Sequence, residues 1–310
     1  MGGVDLGPVV AAAQAGDEGA FTELVQRYRR ELQVHCYRMI GSVVESEDLV
    51  QETFLKAWTR RESFQGRSTF RAWLYRIATN TCLDHLARRP RRVLAYEIVA
   101  AADPKADAPP EPTTSSYAWL EPYPDHLLEG IESADDPYAV VVAKETIETA
   151  DVLELSVPAV KSALQRARAT LREEQPPRRT EWASSDPSAE ERAVLDRYMN
   201  ALAQEGTEAM VEVLREDVRV SYAPLALWAD GRDDFIEGSS RFAPPGEYRC
   251  LPTRANLQPA VAVYLRSPGD TEFQLISVEV LRVEEGKIAE IVDYSIPEVL
   301  AAFRLPQTLP

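Results

Sequence analysis

The 310-residue sequence has few cysteines and histidines. Its three cysteines, Cys36, Cys82 and Cys250, are far apart and odd in number, which argues against a disulfide framework and against a zinc site. Cys82 and His85 have the spacing of metal ligands, but such a pair without a second pair is more typical of helix packing. We therefore expect neither a metal nor a cofactor.

Signals for a membrane or for secretion are also missing from the sequence. No stretch approaches the roughly 18 consecutive apolar residues of a membrane helix. The first residues, MGGVDLGPVVAAAQAGDEGAF, lack a basic segment followed by an apolar one. We therefore expect a cytoplasmic protein, and its length predicts two or three domains.

The net charge of −16 is concentrated in one segment of the chain. Residues 1–95 contain 14 Arg and Lys against 11 Asp and Glu, whereas residues 96–148 contain 2 basic and 12 acidic residues. This acidic segment is rich in proline, alanine and serine and lacks helical periodicity, which is typical of an irregular linker. Within it, the run YAWLEPYPDHLL is aromatic and apolar, and we expect it to be ordered against a domain surface.

The block before the linker, residues 8–95, reads as consecutive amphipathic helices. Each helical pattern follows a cap or a breaker. The candidate N-caps are Asp17, Ser42 or Ser46, and Ser68. The block therefore predicts an all-α domain.

Two further blocks follow the linker. Residues 149–180 contain a short segment, a candidate N-cap at Ser156 and a basic helix, which is the outline of a helix-turn-helix. Residues 187–304 begin with a helical pattern and continue as alternating strands, with Glu285 and Gly286 at a hairpin turn. This last block predicts an α+β domain.

The stretch EDLVQETFLKAW, Glu47 to Trp58, has the pattern of an amphipathic helix. Helical spacing places Val50, Phe54, Ala57 and Trp58 on one stripe, which we interpret as core. The remaining face carries four polar residues: Asp48, Gln51, Glu52 and Lys56. From chemistry alone, this face is either a solvated surface or a docking surface for a larger partner.

The first block resembles region 2 of sigma factors of the extracytoplasmic-function type. The resemblance lies in GDEGAFTELVQRYRRELQVHCYRMIGSVVESEDLVQETFLKAW, followed by FQGRSTFRAWLYRIATNTCLDHLARR. In that family, the EDLVQETFLKAW helix docks on the clamp helices of the largest catalytic-side subunit of bacterial RNA polymerase. The resemblance implies that Asp48, Gln51, Glu52 and Lys56 bind the core polymerase.

The second part of the same match resembles the segment that opens the promoter. Its cations suit DNA phosphates and its aromatic rings suit unstacked bases. By resemblance, the loop from Ser63 to Thr69 would take a flipped base of the minus-ten element. The candidate minus-ten residues are Ser63, Phe64, Gln65, Gly66, Arg67, Ser68, Thr69, Arg76, Asn80, Asp84 and Arg88.

Simpler interpretations exist for the residues of this helix. Arg76 and Asn80 share one helical face and could merely be solvated. Four apolar residues are more typical of a core than of stacking platforms: Trp73, Leu74, Ile77 and Leu83.

The run SVPAVKSALQRARATL resembles the region 4 helix that enters the major groove of the minus-thirty-five element. Its candidate DNA-binding residues are Ser156, Lys161, Ser162, Gln165, Arg166 and Arg168. After VAKETIE, however, about thirty residues of the family's supporting helices are missing. We expect an incomplete region 4, and the sequence leaves open whether the gap is a natural or engineered deletion or an omitted stretch.

Residues 187–304 resemble the SnoaL-like cone, a curved sheet wrapped by helices around a pocket, which some of these sigma factors carry at the C-terminus. The stretches SYAPLALWADGRDDFIEG, LPTRANLQPAVAVYLR and ISVEVLRVEEGKIAEIVDYS carry this resemblance. The candidate pocket residues are Tyr222, Trp228, Phe235, Phe242, Tyr264 and Tyr294.

Catalysis in this pocket is not expected, because the block has no histidine. Its candidate acids lie in loops or at strand ends, where solvated charge is usual: Asp230, Asp233, Asp234 and Asp293. A structural or ligand-sensing pocket fits the sequence better.

Two functional hypotheses remain. The leading one is an alternative sigma factor that binds core RNA polymerase and promoter DNA, with the cone regulating it in cis by packing against the sigma regions. The contact would include a helical stripe of Ile296, Val299, Leu300 and Phe303, although this stripe could equally close the cone's own core. The second hypothesis is a SnoaL-type enzyme or ligand-binding protein with a sigma-like DNA-binding arm.

Overall fold

The computed structural model of the chain describes residues 6–66, 69–88, 92–93, 95–97, 99–105, 118–128, 188–204 and 207–310, together with Pro158, Ser162 and Gln165. These residues belong to two compact units. The helical unit contains the described residues of 1–40, 45–89 and 128–181. The C-terminal unit contains those of 41–44, 90–127 and 182–310.

The helical unit is built from amphipathic helices, as predicted. They are α1 (Gly7–Gln14), α2 (Glu18–Ile40), α3 (Val43–Thr59) and α4 (Phe70–Leu86), with a 3₁₀ turn at Arg61–Ser63. Their shared core contains Leu24, Leu32, Val50 and Leu74, none of which is more than 1% exposed. None of the described helices has the length and apolar character needed to cross a membrane.

The helix starts follow local cap chemistry. Asp17 accepts a hydrogen bond from the amide three residues later at 2.9 Å, which confirms it as the cap of α2. Helix α3 begins directly after Ser42, one of its two predicted caps. The cap of α4 is Thr69 and not Ser68, because Thr69 is extended and its hydroxyl accepts from the Ala72 amide at 3.1 Å.

The C-terminal unit contains the predicted α+β domain. Its helices are α5 (Ala189–Ala203), α6 (Thr207–Val213), α7 (Arg232–Phe242) and α8 (Pro297–Ala302). Its strands are β3 (Leu214–Ala223), β4 (Leu227–Asp230), β5 (Glu247–Ala255), β6 (Gln258–Arg266), β7 (Phe273–Glu284), β8 (Lys287–Tyr294) and β9 (Thr308–Leu309). We call residues 188–310 the cone.

The cone sheet is open and curved, with the strand order β4-β3-β8-β7-β6-β5 and with β9 paired to β7. Strands β3 and β8 are parallel, and the other neighbours are antiparallel. Glu285 and Gly286 connect β7 to β8 with φ angles of 52° and 72°, which confirms the predicted hairpin turn.

Each face of the sheet has its own apolar core. On one face, Val220, Leu281 and Ile291 pack with residues of α5, α6 and α7. On the other face, Val278 and Val280 belong to a core that includes α8 and parts of the linker.

Part of the acidic linker is ordered in the C-terminal unit. Its strand β2 (Ala118–Trp119) pairs in parallel with β1 (Arg92–Val93), which precedes the linker. Trp119 is 6% exposed and Tyr123 is 2% exposed. The prediction that YAWLEPYPDHLL docks on a domain surface is therefore confirmed for residues 118–128.

Candidate functional site

Helix α3 divides its residues between a core and an open surface. Val50, Phe54 and Ala57 are buried, as the stripe predicted, and Trp58 is half-buried. On the outer side, the three candidate polymerase-binding residues Asp48, Gln51 and Glu52 are exposed. The structure therefore brings these three side chains together on one accessible face.

Lys56, the fourth candidate, is held against α4. Its ammonium donates to the Thr81 hydroxyl at 3.1 Å and pairs with Glu52 at 2.7 Å. The ammonium thus orients the Glu52 carboxylate and is less available than the other three side chains to a partner.

A groove of about 440 Å³ runs beside this face, between α2 and α3. Its apolar lining is Phe21, Val25, Val50, Phe54, Leu55 and Trp58. Leu55 is 68% exposed, which is unusual for a leucine inside an ordered helix. Leu55 was not among the predicted site residues, although its position four residues after Gln51 could have indicated it.

The outer face of α4 carries the next group of candidates. Asn80, Asp84 and Arg88 are exposed, and Arg76 is half-buried. Their spacing of four residues places them in one row along the helix.

The apolar residues of α4 differ in how deeply they are buried. Trp73, Leu74 and Ile77 are buried, as predicted. The core interpretation of Leu83 is wrong, because Leu83 is 50% exposed. It follows the fully buried Cys82 in the helix and so points about 100° away from the core direction.

The loop before α4 has fewer free side chains than its sequence implied. The Phe64 ring packs on Phe70 and Trp73, with centroid distances of 5.6 and 5.5 Å, and its carbonyl accepts from Gln14. Thr69 caps α4, while Gln65 and Gly66 are exposed. The Ser63 hydroxyl donates to the Arg60 carbonyl at 2.7 Å.

Arg67 and Ser68 lie outside the described residues. Among the described loop residues, Gln65 and Gly66 therefore remain the most accessible candidates for a base contact.

A partly buried polar network joins α4 to α2, and it was not predicted from the sequence. Arg71 pairs with Glu31 at 2.9 Å, and its guanidinium stacks on Tyr75 at 4.7 Å. His35 lies within 3.0 Å of the Thr79 hydroxyl, and burial, with Arg38 and Arg71 nearby, lowers the pKa of His35 to about 4. His35 is consequently neutral at physiological pH.

The minus-thirty-five candidates are described only in part. Ser162 and Gln165 have helical backbone and are exposed, as a groove-reading helix requires. Ser156, Lys161, Arg166 and Arg168 lie outside the described residues.

The predicted cone pocket is not one site. Tyr222 and Phe235 face the helix-covered core, whereas Trp228, Tyr264 and Tyr294 belong to the core on the opposite face. Phe242 is half-buried at the end of α7.

Strand alternation explains this separation. Tyr222 lies opposite Asp293 in the β3–β8 register, so the next residue, Tyr294, points to the other face. The expectation of one aromatic pocket is therefore wrong.

The helix-covered face contains a pair of carboxyl groups instead. Asp293 lies opposite Glu279 across β7 and β8, and the Tyr198 hydroxyl donates to Glu279 at 2.9 Å. Asp293 is half-buried and not fully solvated as expected, and this burial raises its pKa to about 7. Burial and the Asp293 charge raise the pKa of Glu279 to about 8. The remaining acids fit the expectation better, since Asp230 and Asp233 are exposed.

A β-bulge creates this pair. Next to the turn, Glu284 pairs with Lys287 and Val283 with Ile288, and this register would place Val292 opposite Glu279. The register shifts by one residue between Arg282 and Val283, which brings Asp293 opposite Glu279. The sequence contains no clear signal for that shift.

The linker docks on the turn between β5 and β6. The Asp125 carboxylate pairs with Arg254 at 2.9 Å and accepts from the Leu257 amide at 2.9 Å. Tyr123 and Asn256 exchange two hydrogen bonds, at 2.9 and 3.1 Å. Asn256 and Leu257 have φ angles of 54° and 62°, so the docked segment supports a turn conformation that leucine rarely adopts.

A second contact holds the earlier part of the linker. The Trp228 indole donates to the Val99 carbonyl at 2.9 Å, and the Ala102 amide donates to the Trp228 carbonyl at 2.9 Å. Arg219 stacks on Tyr96 at 4.4 Å. These contacts attach the linker to the edge strand β4.

The α8 stripe closes the cone core. Val299, Leu300 and Phe303 are buried with Trp119 of the linker. Ile296 is partly buried against the same cluster. Of the two interpretations of this stripe, the structure supports the one in which it completes a core within the C-terminal unit.

Comparisons with known proteins identify the helical unit. The model of the Sigma-70 region 2 family matches residues 24–92. The ECF RNA polymerase sigma factor SigG of Mycobacterium tuberculosis is 33% identical over a 335-position alignment that covers 96% of this chain and 86% of the relative. The chain belongs to the ECF sigma factors.

Other relatives of this ECF sigma factor agree. SigW of Bacillus subtilis is 30% identical over 179 residues, covering 53% of this chain and 94% of the relative. The crystal structure of the sigma factor SigJ of Mycobacterium tuberculosis has the same fold, with a TM-score of 0.50 at 20% identity, over 92% of this chain and 100% of that chain. The sigma-factor hypothesis is confirmed: the chain is an alternative sigma factor that directs transcription through core RNA polymerase and promoter DNA.

Proposed function

We propose that this ECF sigma factor docks on core RNA polymerase through the exposed face of α3 and the adjoining groove. The observation that carries this proposal is the exposed Leu55 beside Gln51, at the edge of a groove that combines an apolar lining with Glu18, Thr22 and Arg29. Asp48 and Glu52 add negative charge to the same face. This surface suits a helical partner that offers apolar side chains to the groove and cations to its rim.

A core-binding titration tests the docking surface. Reversing both charges, Asp48→Lys with Glu52→Lys, should weaken binding severalfold, because it would place like charges against the cations of the partner. Leu55→Ala should weaken binding without changing the charge. The matched control is Glu23→Lys, an exposed acid on α2. Unchanged affinity in the double variant, or an equal loss in the control, would show that the polymerase docks elsewhere.

We also propose that α4 and its preceding loop hold the opened minus-ten strand. The support is the row of Arg76, Asn80, Asp84 and Arg88, in which a cation at each end flanks two hydrogen-bonding side chains. The internal contacts of Phe64 and Thr69 keep the loop in place, so that Gln65 and Gly66 are presented to the nucleic acid.

Our third proposal concerns promoter recognition by region 4, which we propose is incomplete. The alignment to SigG spans 335 positions, more than the 310 residues of this chain, so the relative contains residues without a counterpart here. A helix-turn-helix without its supporting helices would bind the minus-thirty-five element weakly. Recognition would then rest mainly on the minus-ten element.

Finally, we propose that the cone regulates the sigma factor in cis by holding the inter-region linker. The support is the docking of residues 118–128 on the turn of Asn256 and Leu257, together with the attachment of Val99 and Ala102 to β4. A tether that is bound at two places restricts the distances its ends can reach, and so the placement of regions 2 and 4 on DNA.

A further inference from the structure

We propose that the Glu279 and Asp293 carboxyl pair is a proton-sensitive device that stabilises the cone while it holds a proton and weakens the cone when that proton is lost. This inference is independent of the proposed regulation through the linker. Its basis is the position of two acids directly opposite each other on the helix-covered face of the sheet.

The described surroundings of the pair contain hydrogen-bonding groups and no compensating cation. Tyr198 of α5 donates to Glu279, and Ser277 of β7 hydrogen-bonds Asp293. Tyr222 of β3 faces the pair and is itself hydrogen-bonded to Ser239 of α7. The thiol of Cys250 on β5 is also close enough for the Glu279 charge to raise its pKa. Among the described residues, no lysine or arginine contributes to the pKa of either carboxyl.

Two ionised carboxylates cannot both be stable in this environment. Side chains directly opposite in an antiparallel pair have Cβ atoms about 5 Å apart. At that separation and without a cation, the charges repel each other and each loses its hydration. A single retained proton removes the repulsion and lets one carboxyl donate to a neighbour.

The direction of the pH effect follows from the raised pKa values. The folded cone binds the protons more tightly than the unfolded chain, in which both carboxyls have ordinary pKa values near 4. The stabilisation is therefore complete below about pH 4, decreases as the pH rises above that unfolded value, and is fully lost once the pH has passed the folded values of about 7 and 8. While one extra proton is bound by the folded state, each pH unit lowers the folding equilibrium constant by about tenfold.

The carboxyl pair is linked to the packing on both faces of the cone sheet. Glu279 lies between Val278 and Val280, which belong to the core on the opposite face of the sheet. Tyr198 joins Glu279 to the middle of α5. Loss of the proton therefore weakens the packing of α5 on the sheet. It also weakens β7, whose other face packs against the core that includes the linker.

Two measurements on the full-length chain test the proposal. Infrared spectroscopy of the wild-type protein should show a protonated carboxylic-acid band near pH 6 that disappears by about pH 9, and Glu279→Gln and Asp293→Asn should each remove or shift it. Urea unfolding, followed through the methyl signals of Val278 and Val280, should show cone stability falling between about pH 4 and pH 8 in the wild type and levelling off at higher pH. Either substitution should make that fall markedly shallower.

Matched controls separate the pair from general effects of charge. Glu272→Gln and Asp270→Asn change the same chemical groups at exposed positions between β6 and β7, and both should keep the wild-type pH dependence. The proposal is overturned if the wild type lacks the protonated band near pH 6, a result that does not require any variant to fold. It is also overturned if the pair variants and the controls have the same pH dependence as the wild type.

Discussion

At the residue scale, the exposed side of α4 is defined by which polar groups are engaged inside the protein. Arg71 and Tyr75 are tied to Glu31, and His35 is neutral and hydrogen-bonded to Thr79. Asn80 carries no such internal hydrogen bond among the contacts described above and is exposed. An exposed amide on a helix offers both a donor and an acceptor to a base edge.

We expect Asn80→Ala to reduce promoter opening more than polymerase binding. One lost hydrogen bond to a base costs about 1 kcal/mol, or about fivefold in the open-complex population. Permanganate reactivity of the promoter bubble measures opening, and a core-binding titration measures docking. Asn200→Ala, a matched change at an exposed position of α5, should affect neither. Normal bubble reactivity in Asn80→Ala would refute the base-contact role.

At the element scale, the linker segment 118–128 is held by a few directional contacts. The Asp125 carboxylate accepts hydrogen bonds from both the Arg254 guanidinium and the Leu257 amide. The side chains of Asp125 and Arg254 are only 15% and 22% exposed, so their ion pair is screened less than a surface pair. Removing Asp125 takes the ion-pair partner away from a largely buried guanidinium.

We expect Asp125→Ala to release this segment from the cone. The loss of hydrogen bonds to a charged group costs about 2–3 kcal/mol, which corresponds to about a hundredfold increase in the released population. Limited proteolysis of the full-length chain should cleave residues 118–128 faster in the variant. Asp103→Ala, which removes an exposed linker acid, is the control and should leave the cleavage rate unchanged.

Run-off transcription then decides whether the release has a regulatory effect. If the cone regulates through the linker, Asp125→Ala should change promoter activity while Asp103→Ala does not. Faster cleavage with unchanged transcription would show that Asp125 holds the segment on the cone but that this contact does not regulate transcription.

At the scale of the whole molecule, the chain combines an ordered region 2 with a cone, and with a region 4 that we propose is incomplete. We expect run-off transcription to depend strongly on the minus-ten sequence and weakly on the minus-thirty-five sequence. A mismatched base pair at a specific contact costs about 1–3 kcal/mol. Replacing the minus-ten element should therefore reduce transcription by tenfold or more, and replacing the minus-thirty-five element by less than about threefold. Equal losses would show that the helix-turn-helix reads DNA fully.

The sequence by itself determined the features that depend on local spacing. The buried stripe of α3 follows from a period of 3.6 residues, and the turn at Glu285 and Gly286 follows from a glycine between two alternating apolar runs. The cap at Asp17 likewise needs only a carboxylate before an amphipathic run. That a helical domain comes first along the chain and an α+β domain last was predictable for the same reason.

Only the tertiary structure decided how distant segments meet. The register next to the hairpin turn would place Val292 opposite Glu279. One β-bulge shifts that register by one residue and places Asp293 opposite Glu279 instead. Alternation along the paired strands separated Tyr222 from Tyr294. The docking of Asp125 on the turn at Leu257 joins residues 132 positions apart. Such contacts depend on register and on partners far along the chain, and local propensity carries no information about either.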